Sequence, residues 1–148
     1  MVGAGDCYQP ILLPTDKDFV IAVDGGYDTL QTQGIKPYGE KLGYTTFYIY
    51  GGTGGSRISH TIANIQVLAH NPYLRCFLFD REEVTFLLTN GKVFFSEECE
   101  GYISVLSFSD KSTGVWEKGL KYELEDATLI NNYPLGVSNE FIGKSSLI

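Results

Sequence analysis

An alternation of strands with helices that gives way to strands and turns predicts an α/β layer followed by an all-β sandwich. Over residues 1–80, short apolar, β-branched runs alternate with helical patterns. Phe19 to Asp24, Thr45 to Tyr50 and Arg75 to Phe79 read as strands, and a helix is expected from Ser56 to Ala69. That order implies a Rossmann-like, mostly parallel sheet. From residue 81 onward the chain reads as strand and turn throughout, which packs as a small sandwich. The expected domains are therefore 1–80 and 81–148.

The elements can be justified in order. Phe19 to Asp24 (FVIAVD) ends in Asp-Gly-Gly, a buried strand running into a tight turn. Gly26 to Gln33 carries Tyr27 and Leu30 and is closed by Gly34, as a short helix with a glycine stop would be. A neighbouring parallel strand should follow, but the next pattern, Tyr38 to Gly43 (YGEKLG), is the last turn of another helix. The junction Pro37-Tyr38 is thus either an ordinary loop or a seam from which a strand and a helix body are missing, a unit of about 30 residues. Beyond residue 81 the sharpest local signal is Val84 to Thr89, Asn90-Gly91, Lys92 to Ser96, because Asn-Gly readily takes the positive φ angles of a type I′ hairpin turn. Tyr102 to Phe108, Leu120 to Leu124, Ala127 to Ile130 and Gly136 to Phe141 continue the β pattern.

Composition narrows the function classes. The 148 residues are 43% hydrophobic and 20% charged, values of a globular protein. No apolar run reaches the length of a membrane span, and the N-terminus lacks the basic and apolar regions of a signal peptide, so a cytoplasmic protein is expected. Cys7, Cys76 and Cys99 form no CxxC pair and read as reduced thiols. Eleven basic against 18 acidic residues give a net charge of −7, which argues against a nucleic-acid binder and suits a cationic ligand.

The richest chemistry lies in Gly51 to Gln66, GGTGGSRISHTIANIQ. Glycines and Thr53 between a strand and a helix make a loop whose backbone N–H groups can approach an anion without obstruction. The helix carries Ile58, Ile62, Ile65 and Ala69 on one stripe and Arg57, His60, Thr61 and Asn64 on another; the first is expected to pack and the second to bind phosphate. It is neither a Walker A loop nor a GxGxxG fingerprint. A flexible turn would explain the glycines equally, and a surface or capping role would explain His60.

The chain resembles the thiamin pyrophosphokinase family, which moves a pyrophosphoryl group from ATP to thiamin. The matching stretches are VGAGD (2–6), FVIAVDGGYDTLQTQGIKP (19–37), GGTGGSRISHTIANIQVL (51–68), GLKYEL (119–124) and GVSNEF (136–141), in the family's order and spread over almost the whole chain. The resemblance implies an N-terminal ATP-binding α/β domain, a C-terminal thiamin-binding sandwich, a homodimer with active sites between subunits, and Mg²⁺ as cofactor. It places Asp24, Gly25, Gly26, Thr53, Gly54, Gly55, Ser56, Arg57, His60 and Asn64 beside the nucleotide phosphates, and Ser138 and Asn139 beside thiamin. A β-turn would also account for Ser138 and Asn139, and Trp116 reads either as a platform for a cationic ring or as a core or interface aromatic.

The departures matter as much. The family's Asp-Phe-Asp-Ser and Asp-x-Thr-Asp motifs, its expected Mg²⁺ ligands, are absent, and they would fall at the Pro37-Tyr38 seam. Ser59 stands where the family carries a carboxylate. The chain also stops at Ser145 to Ile148, where the family continues into a closing strand. The expected function is thiamin diphosphokinase, with a noncatalytic thiamin- or nucleotide-binding module as the alternative.

Overall fold

The computed structural model describes residues 46–53, 57–80 and 83–148. Two compact units, Met1–Thr89 and Asn90–Ile148, make up the chain.

In the first unit, β1 (Thr46–Tyr50) and β2 (Arg75–Asp80) lie parallel, joined through α1 (Ile58–His70). β3 (Glu83–Phe86) then pairs with β2 antiparallel. The two faces of this sheet differ. Tyr50 stacks on Phe79 with ring centroids 5.0 Å apart, Tyr48 on Phe77 at 5.6 Å, and Phe77 meets Phe86 at 5.7 Å. The opposite face carries Ile49 and Leu78, paired in register, and Leu78 is almost fully buried. Successive strand residues alternate between faces, so one strand can serve both sets.

The expected Rossmann-like, mostly parallel layer is not what the described residues form. They are mostly β, with a single helix and a single parallel pair. The reason is connection length: a parallel pair needs a crossover of a dozen or more residues, and only two separate β2 from β3, so the sheet reverses there. The strand expected over Phe19 to Asp24, the helix over Gly26 to Gln33 and the Pro37-Tyr38 seam lie outside the described residues.

The helix also packs differently from its expected stripe. Ile58, Ile62 and Val67 are exposed, and Leu68 is the buried residue. Thr61, Asn64, Ile65 and Leu68, at spacings of three and four, form the less exposed face. Asn64 is thus turned inward instead of sharing an outward face with Arg57 and His60.

The second unit is antiparallel throughout its named pairs. β4 (Phe94–Phe95) pairs with β9 (Ser146–Leu147), β5 (Tyr102–Val105) with β8 (Gly136–Glu140), and β6 (Lys111–Glu117) with β7 (Leu124–Ile130). Lys118 and Leu147 exchange backbone hydrogen bonds of 2.9 and 3.0 Å, tying β6 to β9, and a Leu120–Phe141 bridge ties the β6 exit to the end of β8. Leu120 and Leu129 are buried, and Phe95 meets Phe141 edge-on at 5.3 Å. The Asn90-Gly91 hairpin does not form, although Asn90 has φ 46°. Its first arm is taken by β2 in an adjacent hairpin and its second by the distant β9, so competing strand pairs override the local turn. Lys111–Glu117, with Thr113, Val115 and Trp116 as its strand formers and no apolar alternation, is a strand where none was expected.

Candidate functional site

The Ser138-Asn139 pair sits at an irregularity in β8. Along β5 one residue lies between Ile103 and Val105, while along β8 two lie between their partners Asn139 and Gly136, so one extra residue bulges out of β8. Ser138 takes φ 59°, a left-handed value that is uncommon outside glycine, and the exposed backbone there is held by its N–H donating to Ser104 Oγ at 3.0 Å. The bulge presents Ser138 to solvent and turns Asn139 inward, where it is 4% exposed.

Asn139 spends its polar atoms inside the protein. Its Oδ1 accepts the backbone N–H groups of Tyr122 at 3.0 Å and Glu140 at 2.9 Å. Its Nδ2 donates to the Tyr122 carbonyl and to Glu117 Oε2, each at 2.5 Å. Glu117 is fully buried, and its Oε1 has no hydrogen-bond partner. Burial pushes the Glu117 carboxyl above its ordinary range, and the Asn139 hydrogen bond offsets part of that rise. Gly136 is required beside it, since a Cβ there would stand 2.5 Å from the Val105 carbonyl oxygen and 3.0 Å from Glu117 Oε1. Glu117, Tyr122 and Ser104 were invisible as site residues in the sequence, because a buried glutamate reads as an exposed charge until its partner is known.

Around the bulge, Tyr102 and Tyr122 are exposed, and Lys121 bridges to Glu140 at 2.5 Å on the surface. Trp116 is partly buried with Lys118 Nζ 4.5 Å from its ring centroid, so one aromatic face already carries a cation of this chain.

The second cluster lies at the carboxyl end of β1. Gly51 has φ 68° and turns the chain into Gly52 and Thr53. Gly52 is wedged against the sheet: a Cβ there would lie 3.0 Å from Leu78 Cδ2 and 3.1 Å from Ile49 Cγ2. Asn64 Nδ2 donates to the Gly52 carbonyl, which pins the turn to α1. Thr53 is 9% exposed and its Oγ1 has no hydrogen-bond partner; the same holds for the enclosed Oδ1 of Asp80 at the end of β2. Arg57 caps the start of α1 from an extended backbone conformation without a side-chain hydrogen bond, and both Arg57 and His60 are exposed. The structure thus brings Thr53 and Asn64 to one turn and sets Arg57 and His60 on the exposed start of the helix. Asp24, Gly25, Gly26, Gly54, Gly55 and Ser56 lie outside the described residues.

Among the described residues no three His, Cys, Asp or Glu side chains gather as a metal site. These residues by themselves do not fit Mg²⁺, which favours carboxylate oxygens in near-octahedral geometry. Among the described residues no helix is long and apolar enough to cross a membrane.

The second unit is an antiparallel β domain whose Gly-x-Ser-Asn strand bulges over a buried Asn139–Glu117 brace. Residues 80–147 match the family model described as thiamin pyrophosphokinase, vitamin B1 binding domain. The match covers the second unit and supports the thiamin pyrophosphokinase family for this chain. No curated protein matches it. Its fold is similar to the thiamine pyrophosphokinase of Bacillus subtilis, at 22% identity and a TM-score of 0.79 over 99% of this chain and 91% of that one. The thiamin pyrophosphokinase of Geobacillus thermodenitrificans matches at 20% identity and a TM-score of 0.80, over 99% and 89%. A probable thiamine pyrophosphokinase of Staphylococcus saprophyticus matches at 21% identity and a TM-score of 0.61, over 99% and 94%.

Proposed function

We propose that the chain binds thiamin at the β8 bulge and transfers a pyrophosphoryl group to it from ATP, the nucleotide arriving as its Mg²⁺ complex and the protein acting as a homodimer. The observation that carries this reading is the Ser138 bulge on its Asn139–Glu117 brace, inside the stretch matched to the vitamin B1 binding domain. On it, Ser138 offers a hydroxyl at the surface for the aminopyrimidine, and Asn139 sets the backbone that presents that hydroxyl. The Gly51–Thr53 turn and Arg57, with His60 on the same exposed helix start, receive the phosphates, and Asn64 holds the turn through the Gly52 carbonyl; the Arg57 guanidinium supplies a fork suited to anionic oxygens.

In the transfer, the thiamin hydroxyl oxygen forms a bond to the β-phosphorus of ATP. The bond from that phosphorus to the oxygen shared with the α-phosphorus breaks, AMP leaves with that oxygen, and the hydroxyl proton passes to water. The residues contribute alignment and charge stabilisation, and no covalent nucleophile is needed.

A noncatalytic thiamin-binding module is the competing reading. It is favoured by Ser59, exposed on α1 where the family carries a carboxylate, and by the lack of a metal-type cluster among the described residues. Calorimetric titration with thiamin, run beside an assay for AMP released from ATP, thiamin and Mg²⁺, decides between them. Thiamin binding with AMP release supports transfer. Binding without AMP leaves the module, and no binding removes both. A Ser138→Ala variant should weaken thiamin binding about tenfold, the worth of one good hydrogen bond in a site.

A further inference from the structure

We propose that Asp80 accepts the sugar hydroxyls of the nucleoside phosphate bound at the Gly51–Thr53 turn, an assignment that rests on the nucleotide reading above. β1, α1 and β2 form a strand–turn–helix–strand unit whose two strands are parallel, so the turn after β1 and the last residue of β2 lie at the same edge of the sheet. In such units ligands collect outside the carboxyl ends of the strands. Asp80 occupies that end of β2, and Phe79, the residue before it, pairs with Tyr50, the residue before Gly51.

Strand alternation fixes the face. Phe79 stacks on Tyr50 on one side of the sheet, so Asp80 shares the other side with Leu78. That is the side where Leu78 and Ile49 abut Gly52 and where Asn64 holds the Gly52 carbonyl. Asp80 therefore belongs to the same face as the glycine turn. Two enclosed oxygens at this edge of the sheet lack partners: Asp80 Oδ1 and Oγ1 of Thr53, itself 9% exposed. Buried polar atoms are rarely left unpaired, and an unpaired carboxylate oxygen is among the costlier ones.

The chemistry of the two atoms divides the ligand. A carboxylate only accepts hydrogen bonds and repels phosphate, so Asp80 calls for hydroxyl donors. A vicinal diol supplies two of them in a geometry the two carboxylate oxygens can take. Thr53 both donates and accepts, and suits the phosphate side of the same molecule. A bare divalent cation is the weaker occupant: Glu83, the register partner of Asp80, is placed opposite it, but among the described residues no group of three carboxylate, histidine or cysteine side chains gathers.

The test is calorimetric titration of wild-type protein and Asp80→Asn with ATP, 2′,3′-dideoxy-ATP and inorganic tripolyphosphate. Wild type should bind ATP about tenfold more tightly than the dideoxy analogue, the scale of one charge-assisted hydrogen bond. Asp80→Asn should erase that difference while leaving tripolyphosphate binding unchanged, and its Tm should hold, since the side chain keeps its shape and makes no hydrogen bond through the enclosed Oδ1. Equal binding of ATP and dideoxy-ATP by wild type overturns the assignment while the nucleotide reading stands. So does retained discrimination by Asp80→Asn, or a matching loss of tripolyphosphate binding. Failure of wild type to bind either ATP or tripolyphosphate removes the nucleotide reading and this assignment with it.

Discussion

Glu117 is the residue whose behaviour the fold most constrains. Its carboxyl is fully buried, accepts one hydrogen bond from Asn139, and has an oxygen without a partner. Burial therefore raises its pKa in the folded state above the ordinary value of 4.5. The folded chain holds that proton more firmly than the unfolded chain, so the stabilisation it lends is complete below pH 4.5 and is lost as pH rises through the folded-state value. Replacing Glu117 by Gln keeps the shape and the acceptor but removes the titration. Urea unfolding from pH 4 upward should show a falling stability for wild type and a flatter line for Glu117→Gln, with the variant the more stable at neutral pH. A parallel slope in both proteins would mean that another group carries it. Asn139→Ala should be worse than either, because it orphans the Tyr122 N–H and carbonyl along with Glu117. At about 1–3 kcal/mol per orphaned buried group, a loss on the order of 3 kcal/mol is expected in the same unfolding experiment. A loss below about 0.5 kcal/mol, the range of ordinary surface changes, would show that the brace does not hold the bulge.

At the scale of elements, β8 depends on Gly136 as much as on the bulge. A methyl group at that position meets the Val105 carbonyl of the paired strand at 2.5 Å, and backbone cannot swing away as a side chain can. Gly136→Ala should therefore part β5 from β8 and cost about 1–3 kcal/mol by overpacking, read as a lowered urea midpoint and faster amide exchange at Ile103 and Asn139. Protection unchanged at those two amides would refute the close approach. The glycine loop and the GVSNE strand were legible because Gly, Ser and Asn act through the backbone, and their local spacing says so. β6 was not legible: Lys111, Ser112, Thr113 and Gly114 carry no apolar alternation, and Gly114 at φ 69° faces Asp126 at φ 48° in a doubled irregularity of the β6–β7 pair. The Asn90-Gly91 turn failed as a predictor for the opposite reason. Its local signal is strong, but β2 and β9 supply better partners for its two arms. In α1 the expected stripe holds for Ile65 and Ala69 and fails for Ile58 and Ile62, which are exposed, while Asn64 turns inward onto the Gly52 carbonyl.

For the whole molecule, the net charge of −7 gives the two proposed ligands opposite electrostatics. Thiamin is a cation and is drawn toward an acidic protein; ATP is a polyanion and must reach its turn against the same field. Long-range steering of this kind acts mainly on association rates and is screened once the Debye length shrinks. Between about 0.01 M and 0.15 M ionic strength that length falls from about 30 Å to about 8 Å. The association rate of thiamin should therefore decline across that range and that of ATP should climb, measured by stopped-flow on the same preparation. Close contacts inside each site are screened far less, so dissociation rates should change little. This pairing separates the field of the whole chain from local donors such as Arg57, whose replacement by Ala should weaken ATP binding at both salt concentrations and leave the thiamin salt dependence intact. If both ligands slowed with salt, a local cationic patch would govern nucleotide capture, and the overall charge would have no part in choosing between the two proposed ligands.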